Sequence, residues 1–213
     1  MTPSRGLLIS QPSARRFFPS QAYAFPVSAS ASEIEHPSTS QRFTMLACPR
    51  RSRCAGCGQL HYHTDCIVVG VAGARAAVGV YFGPASPGNV AAIVEAGSVQ
   101  TAELEAGLRA LRAVVALQEQ GEKGEEGGWV DQVTLKTDSE YLVKGVTEWV
   151  YKWEKNGYMN GLGKRVVNSN LFKQLQAEVL KLTRLGVEVQ FWLVKREDNA
   201  EAIRLVSEAV AKT

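Results

Sequence analysis

The chain has 213 residues, 45% of them hydrophobic, which suits one ordinary domain with a tail or two small ones. A net charge of +3 permits an anionic partner without demanding one, and no apolar run reaches the ~18 residues of a membrane span. Four cysteines without a clear secretory signal argue against a disulfide framework and for an intracellular home in nucleus or cytoplasm.

Residues 1–44 are rich in Ser, Pro and Ala, carry Arg5, Arg15 and Arg16, and hold no acid before Glu33. Such a composition does not build a core and predicts a disordered tail. It also fits a mitochondrial transit peptide, with Leu7, Leu8, Ile9, Phe17 and Phe18 as apolar face, although prolines interrupt any long helix. Residues 45–65 form a basic linker rich in Cys and His. Cys54-x-x-Cys57 has the spacing of a zinc knuckle, which Cys48 with His61 or His63 would complete; a plain linker is the competing reading.

The domain proper spans residues 66–213. Residues 66–71, 74–82 and 89–95 read as three strands whose short connections make them antiparallel. Residues 101–118 follow as an amphipathic helix with Thr101 as N-cap and with Glu103 and Glu105 in its first turn, where acids ordinarily just favour the helix dipole. Val133 and Leu135 alternate with polar neighbours in a strand that ends on Asp138. Ser139 or Asp138 then caps a helix carrying Trp149 and Trp153. An acid at a strand's carboxyl end beside a helix N-terminus is where α/β sheets keep their chemistry, although capping alone would also explain it. A helix over 168–185, a strand over 187–194 and a closing helix over 199–212 complete the order β-β-β-α-β-α-β-α.

This order, together with TAELEAGLRAL around Glu103 and TDSEYLVKGVTEWVYKWEKNGY around Asp138, resembles type 1 ribonuclease H. The resemblance implies an α/β, ribonuclease H-like fold: a five-stranded mixed sheet, three strands antiparallel and then two parallel, with helices on both faces. It also implies cleavage of the RNA strand of an RNA–DNA hybrid by two Mg²⁺ (or Mn²⁺) ions held by four carboxylates. Two hard cations ~3.5–4 Å apart need many oxygen ligands. Glu103 and Asp138 match two of the four positions, as catalytic residues and metal ligands. Ala72 stands where the first strand's aspartate belongs and Ile203 where the closing helix's aspartate belongs. The loop after the first strand is nearly absent, and the family's histidine has no counterpart in the run from Lys195 to Asp198. Asp65 precedes the first strand instead of ending it, so it does not replace the missing acid. Asp198 is the candidate substitute, as a third catalytic carboxylate.

The nucleic-acid surface is better preserved. Trp149, Lys152, Trp153, Lys155, Lys164 and Arg165 match the family's basic protrusion, with Ser139 and Asn170 as further contacts to an RNA–DNA hybrid or duplex. Trp149 and Trp153 share a helix face, so one of them belongs to the core. No obligatory protein partner is evident. Three readings follow: a hybrid ribonuclease weakened or silenced by its missing acids, a binding module that has lost catalysis, or an active enzyme whose gene model lacks one loop.

Overall fold

The computed structural model describes residues 15–19, 34–47, 62–121 and 130–213. Seven strands form one sheet. They are β1 (Glu35–Pro37), β2 (Thr44–Ala47), β3 (Tyr62–Ala74), β4 (Ala77–Tyr81), β5 (Val90–Ile93), β6 (Gln132–Thr137) and β7 (Glu188–Leu193). The helices are α1 (Val99–Gln120), α2 (Glu140–Lys144), α3 (Val150–Lys155), α4 (Ser169–Arg184) and α5 (Ala200–Ala211). A single wide turn over Gly145–Trp149 joins α2 to α3.

β3 is the spine. One edge pairs in parallel with β6 from Cys66↔Gln132 to Gly70↔Lys136, and β6 pairs in parallel with β7 up to Thr137↔Leu193. The carboxyl ends of all three strands therefore open at one rim. Period-2 alternation sends Ile67, Val69, Val71, Val133 and Leu135 to one face, where α1 and α4 bring Leu104, Leu108, Leu111, Phe172 and Leu175. The opposite face is shallower, with Ala72 and Ala77 packing against Ala202, Val206 and Ala209 of α5. The approach is close enough that a Cβ at Gly79 would stand 2.2 Å from the Ala202 carbonyl oxygen. Gly145 is equally constrained, since a Cβ there would stand 2.1 Å from the Phe172 ring.

The five expected strands and the helices after them are present, with shifted ends. β3 begins at Tyr62, so Asp65 lies within the strand, seven residues and ~23 Å before Ala72. Ser98, not Thr101, caps α1: its hydroxyl accepts from the Thr101 N–H at 3.1 Å.

The sheet exceeds the five-stranded expectation because residues 34–44 of the expected unpacked tail and residues 45–47 of the expected linker supply β1 and β2. β2 pairs antiparallel with the first half of β3 (Thr44↔Val68, Met45↔Ile67), while β4 pairs with the second half (Gly70↔Tyr81 to Ala74↔Ala77). Both occupy the same edge of one 13-residue strand. Ile34, Phe43, Met45 and Leu46 are buried beneath this hairpin, and Lys136 of β6 reaches Glu35 of β1 at 2.7 Å. Averaging over the Ser- and Pro-rich tail concealed Ile34 and Phe43, and averaging over the basic linker concealed Met45 and Leu46. Residues 15–19 are also packed, against β7.

The proposed zinc ligands Cys48, Cys54, Cys57 and His61 lie outside the described residues. Cys66 is a buried strand residue. No helix among the described residues is long and apolar enough to cross a membrane.

If the hairpin belongs to the fold, Leu46→Ala should cost ~2–5 kcal/mol in urea unfolding, as for other buried leucines. A tail residue would cost nothing measurable.

Candidate active site

Asp138 follows the last residue of β6 and Glu103 lies in the first turns of α1; two small groups bring them together. Gly73 lets α1 approach the rim, since a Cβ there would stand 2.3 Å from the Glu103 nitrogen. Ser139 caps α2 by accepting from the Leu142 N–H at 3.1 Å, and its hydroxyl donates to Glu103 Oε2 at 2.5 Å. Burial raises the Glu103 carboxyl above the ordinary glutamate range; the Ser139 hydrogen bond opposes this and the Asp138 charge adds to it.

Asp138 is already engaged on both oxygens. Asn199 Nδ2 donates to Oδ1 at 2.9 Å, and Arg196 Nη1 donates to Oδ2 at 3.1 Å. The same Asn199 nitrogen donates to the Val71 carbonyl at 3.0 Å, and Asn199 is only 2% exposed. A cavity of about 390 Å³ opens beside this cluster, lined by Ala72, Gly73, Asp138, Arg196, Ile203 and Val206 among others. Ala72 and Ile203, placed by resemblance at two ligand positions, thus share one cavity with Asp138.

Asp198 does not join them. It lines a neighbouring cavity of about 280 Å³ with Glu35, Tyr81 and Lys136, because Asn199, the next residue, is the one turned toward Asp138. Sequence reasoning assigned no role to Asn199 or Arg196. The signal for Asn199 is its place at the head of the closing helix, where it matches the asparagine of the family's Asn-x-x-Ala-Asp pattern; none points to Arg196.

The residues present do not fit a pair of Mg²⁺ ions. Glu103 and Asp138 are each in a hydrogen bond, and Ala72 and Ile203, at the other two positions the resemblance assigns, carry a methyl group and a branched alkyl chain. Among the described residues, no three His, Cys, Asp or Glu side chains gather as a metal site.

The expected nucleic-acid residues divide into support and surface. Ser139 is 3% exposed and committed to Glu103 and the helix cap, so it positions rather than presents. Trp153 packs on Phe172 at 5.0 Å and is the core member of the tryptophan pair; Trp149 stacks outside it at 5.7 Å and against Tyr141 at 5.9 Å. Lys152, Lys155, Lys164, Arg165 and Asn170 are exposed. Their loop is built: Asn160 Oδ1 accepts from the Leu162 and Lys164 N–H groups, Val166 N–H returns to the Tyr158 carbonyl at 2.8 Å, and Gly157 and Gly163 take positive φ. Asn168, also unassigned from sequence, accepts from Thr101 and donates to the Tyr141 hydroxyl, linking α4 to α1.

A mixed sheet with an acid at the rim of its parallel strands, a second acid on the first long helix and a closing helix across the back defines the ribonuclease H-like class. The sequence profile of RNase H matches residues 59–210, and the chain belongs to the RNase H family. Ribonuclease H1 of Mus musculus is 31% identical over 145 residues, covering 66% of this chain and 45% of its own length. Ribonuclease H1 of Homo sapiens is 31% identical over 144 residues, 65% of this chain and 45% of its own. Ribonuclease H of Zymomonas mobilis is 38% identical over 81 residues, 37% of this chain and 49% of its own. The chain thus spans about half the length of the curated relatives it matches.

Two measurements follow from this geometry. Because the folded-state pKa of Glu103 is raised, its ionisation disfavours the fold, a penalty absent below the ordinary glutamate pKa and complete once pH has risen through the folded value. Glu103→Gln, relative to the parent, should therefore gain stability between pH 4 and pH 7 in urea unfolding, whereas a pH-independent difference would contradict the burial account. The second variant, Ala72→Asp with Ile203→Asp, rebuilds four carboxylates around the cavity, and Mg²⁺ should raise its melting temperature more than the parent's. An equal response would show that Ala72 or Ile203 does not face the metal position.

Proposed function

We propose that this chain engages RNA–DNA hybrid as an RNase H-family protein and cleaves the RNA strand far more slowly than members that keep four carboxylates. The observation that carries this reading is the state of Asp138: both oxygens are taken by Asn199 and Arg196, and two of the positions around it are apolar. Two-metal chemistry needs oxygen donors that both activate water and stabilise the leaving oxygen, and such clusters act as units. Losing two ligands therefore removes more than half the catalysis.

Binding rests on different residues. Lys152, Lys155, Lys164 and Arg165 are exposed, and among the described residues no ion pair neutralises them. The aromatic cluster behind them fixes the loop, so little order is lost when phosphates arrive. Names of relatives support the substrate class: two of the three named above are Ribonuclease H1 and the third is Ribonuclease H. A non-catalytic hybrid-binding module is the second reading, favoured by the same Asp138 contacts. The proposed setting is intracellular.

Fluorescence anisotropy and gel cleavage on one labelled hybrid separate the readings. The purified chain with Mg²⁺ should bind, and cleave at least about a thousandfold more slowly than a four-carboxylate member. Cleavage at that member's rate refutes the proposal, while residual cleavage that disappears in Asp138→Asn supports the first reading over the second. Replacing Lys152, Lys155, Lys164 and Arg165 by Ala should flatten the dependence of log K on log salt by up to about 3 to 4. An unchanged slope would exclude this surface.

A further inference from the structure

β7 is an edge strand: among the described residues it pairs within the sheet only with β6. Its open side carries backbone groups on which an added strand can form hydrogen bonds, the arrangement used in strand-addition recognition of peptides. Residues 15–17 of this chain lie along it. Arg16 bridges Phe191 in parallel, and the Phe17 N–H donates to the Phe191 carbonyl at 2.9 Å.

Two inward side chains fill two pockets. Phe17 is 3% exposed and meets Trp192 edge-on at 5.2 Å. Arg15 is 7% exposed, donates to Gln176 Oε1 at 2.6 Å and lies 5.2 Å from the Tyr151 ring centre. The alternate residue Arg16 faces outward to Glu148 at 3.2 Å. Gln176 is itself buried, on the face of α4 that also carries Phe172, Leu175 and Val179. A buried amide oxygen without a donor is costly, so a glutamine at this place is explained by a guanidinium opposite it.

We propose that the edge of β7, with Tyr151, Gln176 and Trp192, is a peptide-recognition groove for a short segment bearing arginine two residues before phenylalanine. Residues 15–17 fill it in cis, and a partner protein presenting the same pair competes for it. Fourteen residues of sequence separate Pro19 from Ile34, where the chain rejoins the sheet. A ligand tethered on its own chain acts at an effective concentration on the order of millimolar, so a partner meets a blocked groove until that segment leaves. Arg15 leaves a 3-10 turn just before the bridge at Arg16, so the backbone contributes one bridge and one hydrogen bond, and the two pockets holding Arg15 and Phe17 supply the specificity.

The test uses the full chain and a fluorescein-labelled peptide of residues 13–20. Full-length Arg15→Ser/Phe17→Ser, whose groove is empty, should bind this peptide at least about tenfold more tightly than the parent, whose groove is filled. A peptide carrying the same two serines should bind neither chain. If the double variant does not give a cooperative unfolding transition, a protease site inserted after residue 25 of the parent and cut in the folded protein empties the groove by another route. Equal affinity of filled and empty chains, or equal binding of the serine peptide, overturns the proposal. A parent dimer held by exchanged segments would assign the groove to a second copy instead and overturn the cis arrangement.

Discussion

Asn199 spends one amide nitrogen on two acceptors, the Val71 carbonyl and Asp138 Oδ1, and thereby ties the start of α5 to the ends of β3 and β6. The rim of a parallel sheet leaves carbonyls and a carboxylate facing the same space, and something must supply donors there. Here the chain supplies them itself. Arg196 adds a cation on the solvent side of Asp138, and its exposed position lets salt and ligands reach it. The contact of α5 with Gly79 and the cavity beside Ala72 both rest on where Asn199 sets the helix.

A rim that met the same need with metal ions would require several acids, which repel one another until the ions bind. Ala72 and Ile203 avoid that repulsion. Apolar residues at those places favour the empty fold, and the ion pair and amide at Asp138 keep one charge without a metal. The Asp138 charge is held by donors of this chain's own, Asn199 and Arg196, while the Asn199 Oδ1 stays buried with no hydrogen-bond partner among the described residues.

Much of this fold was legible because long-period patterns survive without tertiary information. The alternation in β6 and the apolar stripe of α1 are local properties, and the family resemblance around Glu103 and Asp138 located the rim. Ala72 and Ile203, which the resemblance sets at the other two ligand positions, line one cavity with Asp138. Asp198, the candidate substitute, lies in the 3-10 turn before α5 and lines another cavity, while the next residue, Asn199, turns toward Asp138. Ser139 was read as a surface contact because its buried bond to Glu103 joins residues 36 apart in sequence. The β1–β2 hairpin escapes composition for a statistical reason: Ile34 and Phe43 are too few to shift the tail, and Met45 and Leu46 too few to shift the linker that follows it. Residues 15–17 are shorter still, and only contact with β7 reveals their alternation.

The shared edge of β3 leaves little of that strand open to pairing between molecules. A 13-residue strand paired by β4 along only its second half would leave its first half, which ends in Cys66, Ile67 and Val68, with unsatisfied backbone donors and acceptors. Such an edge templates pairing between molecules, and its β-branched residues belong to the composition that forms stacked sheets. β2 occupies it. The amino-terminal hairpin therefore protects solubility as well as stability, and a chain shortened past residue 47 would fold with an adhesive edge.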